Sequence, residues 1–331
     1  MKKFLFLSLT IMCTCLIWVG CSNSVATNNN VNTSWVFVAN EGNFGASNGS
    51  VSMIDDKGNV YETDPIGDVV QSLEVYGNKL IVLINNSHKI KIYDITSEGL
   101  SMPGIEVQAA ASPREMVVFD GFVYFTNWGT NDVQRLNLTT YAVDLFIPVG
   151  VMPEGIIRDG NTLWVANSGE NTVSEINILT SSVITHIVGS GPQNLVKYDG
   201  KVYISRTFYD DNWNAYHGAT RIDGLDILVN DYGSGAACGG SVLHHSARVY
   251  RSFDGGLARM DEDLNLELVS IGNFDQSQVY HVENIKGNFW FTITDYSYLN
   301  EVHVLNSDGT TLKVYEVGIN PGDLAYWTKS E

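Results

Sequence analysis

The chain has 331 residues, 44% of them hydrophobic; Asp and Glu outnumber Lys and Arg by 37 to 19, for a formal net charge of −18. A phosphate backbone requires a basic footprint, so this balance argues against nucleic acid as a partner. It suits cations or neutral ligands, and solubility alone also accounts for it. The pattern along the chain is too uniform to divide readily into two domains.

Residues 1–21 read as a targeting segment: Lys2-Lys3, an apolar run Phe4–Val19, then Gly20-Cys21. The run is short for a membrane span. Leu16-Ile17-Trp18-Val19-Gly20-Cys21 resembles a bacterial lipoprotein box, although Trp18 is bulky for its place. The resemblance implies cleavage before Cys21 and a lipid on its sulfur; an ordinary signal peptide cut nearby is the alternative. Residues 22–34, SNSVATNNNVNTS, are too poor in apolar side chains to pack and are expected to form a flexible tether. Cys13 and Cys15 would leave with the leader, so Cys21 and Cys238 do not make a disulfide framework. Cys238 lacks metal-ligand spacing and reads as a small packed residue.

The body, 35–331, is expected to be one all-β domain. Blade one, Trp35–Gly67, lacks an opening strand. Blade two covers about Asp68–Ala111; blades three, four and five start at Ser112, Met152 and Gly191. Blade four shows the unit in full: a short apolar run at Gly155–Arg158, then runs at Thr162–Asn167, Thr172–Ile178 and Val183–Val188. These are separated by Asp159-Gly160-Asn161, Ser168–Asn171 and Thr180–Ser182, which are turn sequences. Asp-Gly recurs at Asp120, Asp159 and Asp199, spacings of 39 and 40 residues. Four strands repeated at that period indicate a β-propeller of four-stranded antiparallel blades. Blades six and seven cover about Gly239–Asp275 and Gln276–Ile319. The tail Asn320–Trp327 matches the opening strand that blade one lacks, so it is expected to pair into blade one and close the ring. The count is seven, with six or eight left open by the degenerate blades five and six.

Trp164-Val165-Ala166-Asn167-Ser168-Gly169-Glu170-Asn171-Thr172-Val173, followed by Ile187-Val188-Gly189-Ser190-Gly191-Pro192, resembles the YVTN-type repeat propellers of bacterial surface and periplasmic proteins. With the lipoprotein-like leader and polar tether, the chain is similar to the cobalamin-capturing surface lipoproteins of the Bacteroidota. That resemblance implies capture of a corrinoid and its delivery to a TonB-dependent outer-membrane transporter. It also implies an envelope location, lipid-anchored to the outer membrane. Ser22–Asn30 contains no acidic export run, so the periplasmic side stays open beside the surface.

Function is expected where the repeat is broken. Three connections on one face read as enlarged loops: Glu41–Gly49, Arg206–Gly218 and Thr294–Glu301. Phe44, Trp128, Phe208, Tyr209, Trp213, Tyr216, Tyr296 and Tyr298, with Arg206, are expected on one rim. Tyr and Trp offer broad contact area with a polar handle, which suits binding. Gln71, Arg114, Glu115, Glu154, Gln193, Asn194, Tyr280 and His281 would line the mouth of the central channel. Their mixed character suggests a neutral or zwitterionic ligand rather than a polyanion.

Catalytic signals are weak. His244-His245 and His281, with Glu283 or Asp295, could make a metal or acid/base site, but no ligand spacing supports one and structural histidines are favoured. Asp210-x-Asn212-x-Asn214 opens like a calcium loop, but Ala215 stands where Gly is needed, so calcium is not expected. Gly42, Gly45 and Gly49 fail the dinucleotide fingerprint, and there is no Gly-x-Ser-x-Gly elbow. The leading expectation is a non-catalytic binding protein without cofactor or metal. A protein-interaction or adhesion scaffold, and a propeller enzyme of lactonase or lyase type, are the alternatives.

Overall fold

A computed structural model describes residues 33–108, 111–235, 240–267 and 271–329. The leader with Cys21, nearly all of the tether, and Cys238 lie outside the described residues. Among those described, no helix is long and apolar enough to cross a membrane.

The described chain folds into seven antiparallel sheets arranged as a ring. In blades three, four, five and seven, four consecutive strands form each sheet in sequence order. Blade four uses Pro153–Asp159, Thr162–Asn167, Thr172–Asn177 and Val183–Ile187, close to the expected runs. In blade two the outer place is divided between Gly99–Leu100 and Ile105–Val107, both pairing with Lys89–Thr96. In blade six three strands are followed by isolated bridges, Leu257 to Ile271 and Met260 to Leu266, at the outer place.

The ring closes as expected. Pro321–Thr328 pairs antiparallel with Ser34–Asn40, setting Trp35 opposite Trp327 and Val38 opposite Leu324. This supplies the inner strand that blade one lacks and removes two open sheet edges. Trp35 donates its indole N–H to the Thr96 carbonyl, and Trp327 donates to Oδ1 of Asn78. Both indoles therefore tie the closing sheet to blade two.

Seven apolar clusters fill the seven junctions between blades, each drawing residues from two neighbours. The cluster at the closure joins Val36, Val38, Ile54 and Leu324 of blade one to Ile285, Trp290, Val302 and Val304 of blade seven. A strand in mid-blade is covered on both faces, so its sequence need not alternate. Leu80-Ile81-Val82-Leu83-Ile84 is wholly buried for this reason. Outer strands lose that cover, and most of Val183–Ile187 is exposed. Two of the Asp-Gly turns place both residues in the left-handed region, with φ of 52° and 77° at Asp120 and Gly121 and 47° and 77° at Asp199 and Gly200; at the third, Asp159 ends its strand and only Gly160 turns, with φ of 57°.

Candidate functional site

The site begins with a backbone irregularity. In six blades the innermost strand slips register against its partner just after its first residue, as between Pro153 and Ile156 or Pro192 and Leu195. A regular strand would turn successive side chains to opposite faces; a bulge re-aims them. Here it brings consecutive residues to the channel: Arg114 with Glu115, Gln193 with Asn194, Tyr280 with His281, and Gly322 with Asp323. Blade six lacks the slip, since Val242 pairs with Arg251 and Leu243 with Tyr250. No described residue of that blade lines the cavity.

The channel mouth is a polar cavity of about 250 Å³. All eight residues expected at the mouth line it, together with Glu41, Gly322 and Asp323. Arg114 is its one arginine. Its Nε and Nη2 donate to the carboxylate of Glu154 at 2.6–3.1 Å, and Nη1 donates to Oε1 of Gln71 at 2.6 Å. Burial works against this guanidinium's charge, but Glu154 outweighs it and raises the pKa. Burial pushes Glu41 up against the opposing hydrogen bond from Tyr280, and burial followed by Glu41 pushes the Tyr280 phenol up.

One level deeper, carboxylates crowd together. Burial, then Asp323 and Glu283, raise Glu74 to about 8. Burial, opposed by His281 and reinforced by Glu283, raises Asp323 to about 7. Glu115 is raised by burial and then by Asp323 and Glu154. Burial disfavours the charged form of His281, but Glu283 and Asp323 prevail and raise its pKa. Nε2 of His281 lies 3.7 Å from Glu283 and 3.8 Å from Asp323, beyond hydrogen-bonding reach, and it has no hydrogen-bond partner among the described residues.

Beside the mouth runs a wider groove of about 820 Å³. Its aromatic walls are Trp128, Phe208, Tyr209 and Trp213; the turns Ser168–Asn171 and Ser190–Gly191, with Met152 and Thr207, line it further. Arg114, Glu154 and Gln193 line both the groove and the channel mouth, so the two are continuous. The Arg114 guanidinium carbon sits 4.2 Å from the centroid of the Trp128 ring.

The rim differs from expectation in several places. Arg206–Gly218 is mostly hairpin: strands Lys201–Tyr209 and Ala215–Asp223 pair to their ends, with Phe208 opposite Tyr216, leaving only residues 210–214 as loop. Aromatic residues facing one another across strands prolong the ladder, and the Phe208 and Tyr216 rings stack at 5.8 Å. Thr294–Glu301 likewise shrinks to residues 295–299 between Asn288–Thr294 and Asn300–Leu305. Arg206 is not presented at the rim. It is 2% exposed, occupies the place that Asn127 and Asn167 hold in blades three and four, and bonds the carbonyls of Ser190 and Asn230 and the carboxylate of Asp231. Phe44 and Tyr298, 80% and 95% exposed, stand outside the groove. Tyr296 packs edge-on against Tyr280, linking that loop to the channel instead.

The other histidines separate from His281. His244 stacks on Tyr198, and His245 meets the edge of Phe289. Asp295 caps its own loop through the amides of Ser297, Tyr298 and Leu299. Asp210 binds Asn212 and Asn214 in the same manner. Sequence reasoning missed Glu41, Glu74 and Asp323. Asp323 was within reach, because Pro321-Gly322-Asp323-Leu324 aligns with Pro192-Gln193-Asn194-Leu195.

No protein-family model and no curated protein matches the sequence. Solved structures do. A functionally unknown protein from Desulfotomaculum acetoxidans superposes at a TM-score of 0.67 with 12% identity, over 89% of this chain and 99% of that one. AztD from Citrobacter koseri gives 0.60 at 12%, over 91% and 99%. A candidate 6-phosphogluconolactonase from Bacteroides uniformis gives 0.62 at 12%, over 89% and 100%. Identities this low speak for the fold alone. Together with the seven closed sheets, they make the chain a seven-bladed β-propeller.

Proposed function

We propose that the chain is a non-catalytic ligand-binding propeller of the cell envelope that captures a bulky, hydrogen-bonding small molecule, with a corrinoid as the leading ligand. The observation that carries this reading is the continuity of the aromatic groove with the polar mouth through Arg114, Glu154 and Gln193. Its volume falls within the range of about 300–1,000 Å³ usual for small-molecule sites. Trp128, Phe208, Tyr209 and Trp213 would cover the faces of a broad ring system, and the mouth would bind its amide-bearing edge. Tryptophan and tyrosine standing in solvent are favoured when they cover or bind something. A lipid on Cys21 and the tether would hold the ring near the membrane, where a TonB-dependent transporter could take the ligand onward.

Calorimetric titration of the purified protein with cyanocobalamin tests this. Saturable heat with a spectral shift is expected, weakened more than about tenfold by Trp213→Ala or by Trp128→Ala. The absence of both signals at micromolar concentration removes the corrinoid. Undiminished binding in both variants moves the site away from the groove.

A further inference from the structure

We propose that His281, Glu283 and Asp323 form a binding site for one divalent transition-metal ion of zinc-like character at the bottom of the channel mouth. One ligand atom from each lies within 4.8 Å of the others. The three residues come from two inner strands, Val279–Ile285 of blade seven and the closing Pro321–Thr328 of blade one. Their separations decide the matter. The imidazole Nε2 sits 3.7 Å and 3.8 Å from the two carboxylates. That is too long for a hydrogen bond. Ligands held about 2.1 Å from one zinc ion at the tetrahedral angle stand about 3.4 Å apart, so a small inward movement would complete the site.

The burial of the same atom strengthens the case. Nε2 of His281 is buried without a hydrogen-bond partner among the described residues. A buried polar atom in that position costs free energy unless something binds it. Arg114, the cavity's one arginine, is committed to Glu154 and Gln71. Glu74 of blade two adds a further acid facing Asp323 and Glu283, so three carboxylates gather around one imidazole. Asp323 is already aimed: its Oδ2 accepts the Leu73 N–H at 2.7 Å and its Oδ1 the Leu324 N–H at 2.9 Å. His281 and Asp323 both border the open cavity, so an ion has an entry path and would keep a position free toward the mouth.

The donor set selects the metal. One imidazole with two carboxylates suits zinc and its transition-metal neighbours. Calcium prefers six to eight oxygen ligands, which this corner does not supply.

Zinc titration of chelator-treated, purified protein is the test. One equivalent should bind, and neither calcium nor magnesium in excess should displace it. His281→Asn, Glu283→Gln and Asp323→Asn should each weaken zinc more than about tenfold while leaving the far-ultraviolet dichroism intact. His186→Asn and His303→Asn probe the outlying pairs with Glu175 and Glu301. They should leave the affinity unchanged, as should Cys238→Ser. Absence of saturable zinc binding by the folded protein overturns the proposal, and so does an affinity indifferent to all three ligand substitutions. Trp213→Ala should not alter zinc affinity, which separates this site from the groove.

Discussion

The guanidinium of Arg114 lies over the indole of Trp128, 4.2 Å from the ring centroid, while the same group grips Glu154 of the next blade. One side chain thus fixes an aromatic wall of the groove and spans the channel mouth. Glu154→Gln should therefore act at two levels. Loss of charge-assisted hydrogen bonds from partly buried groups should cost about 1.5–3 kcal/mol, read as a lower urea midpoint. It should also loosen Trp128, read as a shift in indole fluorescence that Asp144→Asn, at the Arg135 pair away from any indole, does not produce.

Trp327 tests the closure. It is 3% exposed, packs in the cluster between blades one and two, and donates to Asn78. Trp327→Ala should destabilise the protein by about 3–5 kcal/mol. Deleting residues from 320 onward should do more, leaving the Ser34–Asn40 edge unpaired and the chain prone to association, visible by light scattering.

His217 predicts an acid limb in stability. Its imidazole stacks on Phe253 and meets the edge of Tyr232. Burial, and then Arg251, hold its pKa down at about 4, against an ordinary value of 6.5. Between those values the unfolded chain binds a proton that the folded chain refuses. The contribution is therefore complete above about pH 6.5 and is lost as the pH falls toward 4. His217→Phe should flatten the difference in melting temperature between pH 7 and pH 4.5 relative to the parent protein. An unchanged pH profile would remove His217 from this role.

Exposed aromatics should divide by position, not by exposure. Trp213 is 82% exposed and lines the groove, whereas Phe44 and Tyr298 are equally open but stand outside it. None of the three substitutions to Ser should change stability by more than about 0.5 kcal/mol. Only Trp213→Ser should weaken the ligand, and equal losses in all three would place binding on the whole rim.

Much of this was legible in the sequence. Asp-Gly turns at fixed spacing and the tail at Asn320–Trp327 pointed to a closed ring of seven blades, because turn chemistry and strand register are local properties; the degenerate blades five and six left six or eight open until the seven sheets were seen. The mouth residues could also be read, since Gln71, Arg114, Glu154 and Tyr280 follow the same opening position in their blades. The rim was read less well. Cross-strand pairing of Phe208 with Tyr216 converts a polar-looking loop into ladder, and that pairing depends on how the two strands meet. Arg206 has the composition of a surface residue and is buried only because it substitutes for the repeat's asparagine between two blades.

What the sequence by itself determined was the repeat: strand, turn and the order of blades follow from short-range patterning. What the tertiary structure alone decided was the acidic cluster in the channel. Glu74 belongs to blade two, His281 and Glu283 to blade seven, and Asp323 to the closing strand between them. Leu73 and Asp323 are 250 residues apart and meet through one hydrogen bond. Local pattern places each of these residues on an inner strand, but they become neighbours only when the last strand pairs with the first.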